Sequence, residues 1–176
     1  MTKKADSLVQ EYEKFINNEV KTYETPGKPN EYLKKDDDIM PVDIDKYRSF
    51  VGQIMFLSTK LCPKIGAAKR ALSGFMSCPN EDHWKALDRV IGYIKGMKVK
   101  GILYKEPESF KVISLCDTDY GNCHETRRSV GCCLFTIGCM LVGWHMSKHL
   151  TLSDSSCEAG VDQVCKRFEI YSNDVK

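Results

Sequence analysis

Apolar side chains recur at helical spacing through roughly the first hundred residues and then begin to alternate, which predicts helices followed by strands. In the segment from Ser7 to Ile16, Leu8, Tyr12, Phe15 and Ile16 fall on one face, predicting a short amphipathic helix. The prolines and glycine of Thr25-Pro-Gly-Lys-Pro29 and the charge run Lys34-Lys-Asp-Asp-Asp38 then predict an exposed connector. From Asp43 the helical period returns, with Tyr47, Val51, Ile54, Met55 and Leu61 near one stripe. Pro63 closes that helix and can open the next, in which Ile65, Ala68, Leu72 and Phe75 repeat the stripe. Gly66 and Gly74 either permit close approach of a partner helix or mark frayed ends. A third helix has Asn80 as cap and Glu81 and Asp82 in its first turn. Its apolar stripe is Trp84, Leu87, Val90, Ile91 and Ile94, and Gly96 ends it.

After Gly101 the period changes. Ile102–Tyr104 reads as a short strand and Phe110–Asp117 as a longer one, while Val130–Ile137 joins Met140–Trp144 through Gly138-Cys139, a pair suited to a type II′ turn. Ser155-Ser-Cys-Glu158 fits a capping box opening a last helix with Ala159, Val161, Val164, Cys165 and Phe168 as its apolar positions. The expected fold class is therefore α+β: an N-terminal helical unit followed by an antiparallel sheet with one helix. So few elements leave the sheet incomplete, and an open edge of this kind predicts self-association.

Charge narrows the functional classes. With 26 basic and 24 acidic side chains the net charge is +2, too little for a global field that steers the chain to nucleic acid, so such binding needs a local patch. Lys85, Arg89, Lys95, Lys98 and Lys100 gather near the third helix, where they could contact phosphates or simply form a solvated face. No apolar run approaches the roughly 20 residues that span a bilayer, and the amino terminus lacks the apolar core of a signal peptide, so the expectation is an intracellular chain without a membrane partner. The nine cysteines are odd in number and contain no Cys-x-x-Cys, so they read as mostly buried thiols. Cys123-His124 and the pair His145 and His149 lack the spacing of a zinc ligand set.

The stretch with most chemical content is Val112–Asp119, an apolar strand ending in two acids separated by one residue. Such an arrangement can hold a divalent metal over a phosphate when further carboxylates join it. Around it stand, in order, Tyr47-Arg-Ser-Phe-Val-Gly52, His83-Trp-Lys-Ala86, Tyr93-Ile-Lys-Gly96, Cys116-Asp-Thr-Asp-Tyr120, Thr126-Arg-Arg-Ser129 and Ser155-Ser-Cys-Glu-Ala159. This ordered set resembles the Pol polyprotein of copia-type LTR retrotransposons, over about residues 8 to 168.

The resemblance implies three regions. Residues 1–40 would be a short amphipathic helix and linker, 41–107 a helical thumb or connection following a reverse transcriptase palm, and 108–176 a partial ribonuclease H-like domain. It also implies a chemistry, hydrolysis of the RNA strand of an RNA–DNA hybrid by magnesium ions held by four carboxylates. Asp117 corresponds by motif to the first of these, and Asp119 to a motif residue at the strand end that is not a ligand. The second should come from the last helix, where the family reads Glu-Ala-Glu-Tyr; this chain reads Glu158-Ala159-Gly160-Val161, so Gly160 occupies the ligand position. Glu158 and Asp162 lie about 200° from position 160 around a helix and point away from its face. The remaining two family aspartates have no counterpart.

The resulting expectation is a catalytically inactive fragment of a copia-type Pol polyprotein, with Asp117 a vestigial catalytic and metal residue. It would have no cofactor where the intact family uses magnesium. Weak binding of an RNA–DNA hybrid or other nucleic acid would run through Lys85, Arg89, Arg127 and Arg128. The alternative is a ribonuclease H-type hydrolase of RNA–DNA hybrids completed by carboxylates from another chain.

Overall fold

A computed structural model describes residues 2–28, 33–34, 43–97, 101–106, 110–119 and 129–148. The chain divides into two compact units, Met1–Gly101 and Ile102–Lys176. Among the described residues the architecture is α+β, four α-helices followed by a three-stranded antiparallel sheet.

The first unit contains α1 (Thr2–Ile16), α2 (Ile44–Lys60), a single 3₁₀ turn over Pro63–Ile65, α3 (Gly66–Ser73) and α4 (Glu81–Gly96). Asp43 caps α2 by accepting a hydrogen bond from the Lys46 backbone at 3.0 Å, and Pro63 opens the 3₁₀ turn once α2 has ended. The start of α4 is a reciprocal capping box. The Asn80 side chain accepts from the His83 backbone at 3.0 Å, and the His83 Nδ1 accepts from the Asn80 backbone at 2.9 Å. Two orphan N–H groups of the first turn are thereby satisfied.

The core lies between α1, α2 and α4. Leu8, Tyr47, Phe50, Val51, Ile54, Leu87 and Ile91 are fully buried, each contributing roughly 2 kcal/mol of burial. The motif Tyr47-Arg-Ser-Phe-Val-Gly52 is therefore largely core. Its Tyr47 hydroxyl donates to the Leu72 carbonyl at 3.1 Å, and its Arg48 reaches the Met76 carbonyl at 2.8 Å, tying α2 to the end of α3. Tyr93-Ile-Lys-Gly96 ties α4 to α1: Tyr93 and Ile94 are buried, and the Lys95 ammonium is held by Glu13 at 2.8 Å, Glu19 at 2.6 Å and the Val20 carbonyl at 3.0 Å.

Two sequence expectations fail, one in each unit. Met55 is 39 % exposed and does not belong to the buried stripe, because Phe50, Leu57 and Ser58 turn inward and set the face of α2. Ile102–Tyr104 forms no strand; Leu103 and Tyr104 are exposed, and the three residues are too few to pair without a neighbouring ladder.

The second unit holds β1 (Val112–Asp119), β2 (Val130–Ile137) and β3 (Met140–Lys148), in spatial order β1-β2-β3 with both pairings antiparallel. Gly138 at the hairpin tip has φ +57° while Cys139 does not share the left-handed backbone, which fits a type II′ turn and not type I′. The β2–β3 register slips between Phe135 and Thr136, leaving Val142 as the extra residue of a bulge. The last helix expected from Ser155 onward lies outside the described residues.

The expectation of buried thiols holds for Cys62, but Cys78 and Cys132 are half-buried and Cys139 is exposed. Cys116 and Cys133 are not thiols at all. They form a disulfide across β1 and β2, because they are directly opposed in the register with Cα atoms 4.2 Å apart, so their side chains leave the same face side by side.

Candidate functional site

Lys85 and Arg89, one helical turn apart on α4, border the same groove, of about 690 Å³, in the helical unit. Tyr12 and Ile16 of α1, Trp84 of α4, and Tyr23 and Lys28 of the segment that follows α1 complete most of its wall. That segment is fixed to α4 through Lys95, which holds Glu19 and the Val20 carbonyl, and through Arg89. The Arg89 guanidinium lies 4.8 Å from the centre of the Tyr23 ring, and its Nη2 donates to the Thr25 hydroxyl at 2.9 Å. Gly92 lets the segment come this close, for a Cβ there would collide with the Lys21 carbonyl and stand 2.7 Å from Tyr23 Cδ2.

The groove carries both charge and ring faces. Lys85 pairs with Asp82 at 2.8 Å, which holds the ammonium's pKa up and the carboxyl's down, but both side chains are exposed and the pair is screened by water. Tyr12 donates to Asp88; burial foremost, then the Asp88 charge and hydrogen bond, keep the phenol protonated far above neutral pH. Burial also pushes the Asp88 carboxyl up, against the lowering effect of the Tyr12 hydrogen bond. Three cations, Lys28, Lys85 and Arg89, thus face two carboxylates. Behind the groove the rings cluster: Trp84 lies 5.4 Å from Phe15 at 20° and 6.4 Å from Tyr12 at 22°, Tyr12 lies 6.5 Å from Phe15, and Trp84 and Tyr12 line the groove while Phe15 stands outside its lining.

Asp117 stands elsewhere, on β1 in the second unit. It is exposed, and its carboxylate accepts a hydrogen bond from the Thr118 backbone at 2.9 Å. Directly across the sheet it faces Cys132, which in turn faces Met146. Burial pushes the Cys132 thiol up, and the Asp117 charge adds to this. Neither sulfur-bearing neighbour is an oxygen ligand of the kind magnesium requires. Among the described residues no group of three His, Cys, Asp or Glu side chains is placed to hold a metal. The described residues therefore do not fit a magnesium site at Asp117. Arg127, Arg128, Glu158, Gly160 and Asp162 lie outside the described residues.

Tyr23, Lys28 and Asp88 are groove residues that the sequence pattern missed, the first two because they fall in or beside a stretch with loop composition. The signal that finds those two is the pairing of Gly92 with a docked segment, which needs coordinates. Trp84 and Tyr12 read as core positions, and in the structure they serve the core and the groove together.

Comparison with known proteins bears on what this surface belongs to. Over 112 residues the chain is 35 % identical to secreted RxLR effector protein 161 of Plasmopara viticola, spanning 64 % of this chain and 79 % of that protein. It is 29 % identical over 117 residues to the retrovirus-related Pol polyprotein from transposon RE2 of Arabidopsis thaliana, and 28 % over 135 residues to that from transposon RE1. The chain belongs to one family with that effector protein and is a distant homologue of copia-type retrotransposon Pol polyproteins. An uncharacterized mitochondrial protein of Arabidopsis thaliana is 33 % identical over 117 residues. The chain spans about half of that mitochondrial protein and less than a tenth of either Pol polyprotein. No family model matches the chain, and no solved structure matches it. Among the described residues no helix is long and apolar enough to cross a membrane.

Proposed function

We propose that this copia-related chain is a catalytically inactive relative of the reverse transcriptase and ribonuclease H region of Pol, retaining weak affinity for nucleic acid through the α4 groove. The observation that carries this reading is the meeting of Lys85, Arg89 and Lys28 on one groove walled by Trp84 and Tyr23, in a chain homologous to Pol polyproteins. In this reading the β1-β2-β3 meander opens a ribonuclease H-like domain and Asp117 is its vestigial first carboxylate. The sulfur-bearing residues that Asp117 faces across the sheet, Cys132 and beyond it Met146, support the loss of catalysis.

Binding that rests on a few phosphate contacts weakens as salt rises, by a slope close to one per phosphate neutralised. Titrating labelled oligonucleotides, both an RNA–DNA hybrid and its separate strands, should give affinity that is measurable at 20 mM salt and, with two phosphates neutralised, roughly fifty-fold weaker at 200 mM. Combined Lys85→Gln and Arg89→Gln should flatten that dependence. Affinity that is undetectable at low salt, or insensitive to salt, overturns the binding half. Incubating the hybrid with the protein and magnesium should leave it intact; cleavage that disappears in Asp117→Ala overturns the inactive half.

A further inference from the structure

The helical unit carries its least compensated charge away from the groove. From Lys46 to Asn80 stand six basic side chains, Lys46, Arg48, Lys60, Lys64, Lys69 and Arg70, and no acidic one. That stretch folds as a helical hairpin of α2, the 3₁₀ turn and α3, with the Tyr47 hydroxyl bonded to the Leu72 carbonyl across it. We infer that the turn end of this hairpin is a second phosphate-binding surface, on which Lys60, Lys64, Lys69 and Arg70 hold the backbone of a nucleic-acid strand that also reaches the groove. This inference rests on the nucleic-acid reading above and adds to it a second contact with more net charge than the first.

Three observations lead there. First, the charges are bunched. Lys60 is the last residue of α2, Lys64 lies in the turn, and Lys69 and Arg70 sit in α3. At about 1.5 Å of rise per helical residue, Lys64 and Arg70 are separated by only about 9 Å along the axis. That is the length of about three stacked nucleotides.

Second, these charges lack counter-charges. Among the described residues no carboxylate lies within ion-pair distance of any of the six cations. The groove, by contrast, sets two carboxylates against three cations. Third, Lys69 and Arg70 stand side by side and half-buried, which costs free energy while no anion joins them. Burial, and then the Arg70 charge, lower the Lys69 pKa, and the Arg70 Nε is enclosed with no acceptor. A phosphate beside the pair offsets that cost, and a guanidinium can grip it through two N–H groups at once.

Both surfaces belong to the unit Met1–Gly101, and a unit of that length has a radius of gyration of about 13 Å. A stacked strand of twenty nucleotides, about 68 Å long, reaches both.

The test titrates the full chain with a labelled twenty-residue single strand between 20 and 60 mM salt. Two phosphates at the groove and about two at the hairpin should give a salt slope of about four phosphates, against about two for the groove alone. Lys69→Gln with Arg70→Gln should lower that slope by about one phosphate or more and weaken binding several-fold at 20 mM. Should that variant fail to fold by circular dichroism, Lys60→Gln with Lys64→Gln, both exposed, gives the same reading.

A slope of two phosphates that neither variant changes overturns the hairpin contact while leaving the groove reading standing. No binding at 20 mM overturns both. Displacement of the strand by polyglutamate as readily as by unlabelled strand assigns the surface to acidic proteins, and also overturns the inference.

Discussion

At Gly92 a hydrogen atom where other residues have a Cβ decides how the wall of the groove is built. The carbonyl of Lys21 and the ring of Tyr23 occupy the space a side chain would need. Gly92→Ala forces either the segment or α4 to move, and overpacking of this kind costs about 1–3 kcal/mol, so the midpoint of urea unfolding should fall. Loss of the Tyr23–Arg89 contact should accompany it, and with it part of any nucleic-acid affinity. Ala is otherwise the better helix former by about 1 kcal/mol; a stabilised variant would show that the close approach is absent in solution. Single residues were unevenly legible in the sequence. Asn80 was recognisable as a cap because its role depends on neighbours within one turn. His83, its reciprocal partner, carried a motif without revealing a role, because a histidine at the third helical position is not the usual Glu or Gln. The disulfide of Cys116 and Cys133 was invisible, since it depends on a register that no residue type announces.

Helix α4 is the element on which most of this protein's features converge, and its first turn is sensitive to acid. His83 is fully buried, its ring stacked 3.9 Å from that of Phe75, and its Nδ1 must be unprotonated to accept from Asn80. Burial foremost lowers its pKa, while the Lys34 backbone and the Asp82 charge act in the opposite direction. The unfolded histidine titrates near its ordinary value of about 6.5, so on the acid side the unfolded chain binds the extra proton. This contribution to stability is complete above that value and is lost as pH falls from there through the lower folded pKa. Melting temperature should therefore drop between pH 7.5 and 5. His83→Gln keeps the capping box without the titration, and should flatten that drop while lowering stability modestly at pH 7.5. An equal acid slope in both proteins would assign it to other groups. The helices and the three strands were legible because burial imposes their periods. Ile102–Tyr104 was misread because β-branched and aromatic content alone does not supply a partner strand.

At the scale of the whole molecule, the sheet has an exposed margin among the described residues. Among the described residues β1 pairs on one side only, with β2, and its Val112 and Leu115 are 67 % and 58 % exposed. An apolar strand edge of this sort is a template for another chain. Sedimentation of the purified protein should show association that grows with concentration, and Leu115→Lys should suppress it by placing charge on the edge; a monomer at all concentrations refutes this. The α+β class was readable from the change of period near Gly101. What could not be read was that one groove in the helical unit gathers Lys85 and Arg89 with Tyr12, Tyr23 and Lys28, because those residues come from segments some sixty or more positions apart.

The link between Cys116 and Cys133 changes how the chain is connected as well as how it folds. It closes a ring of backbone that contains Arg127 and Arg128, the two sites in that ring at which trypsin cuts. A molecule nicked there gains one water yet keeps its two pieces attached, so its intact mass is almost unchanged until a reductant separates them. Limited digestion read by mass with and without reductant should show this difference, and fragments that part without reductant would mean that the two cysteines are not joined.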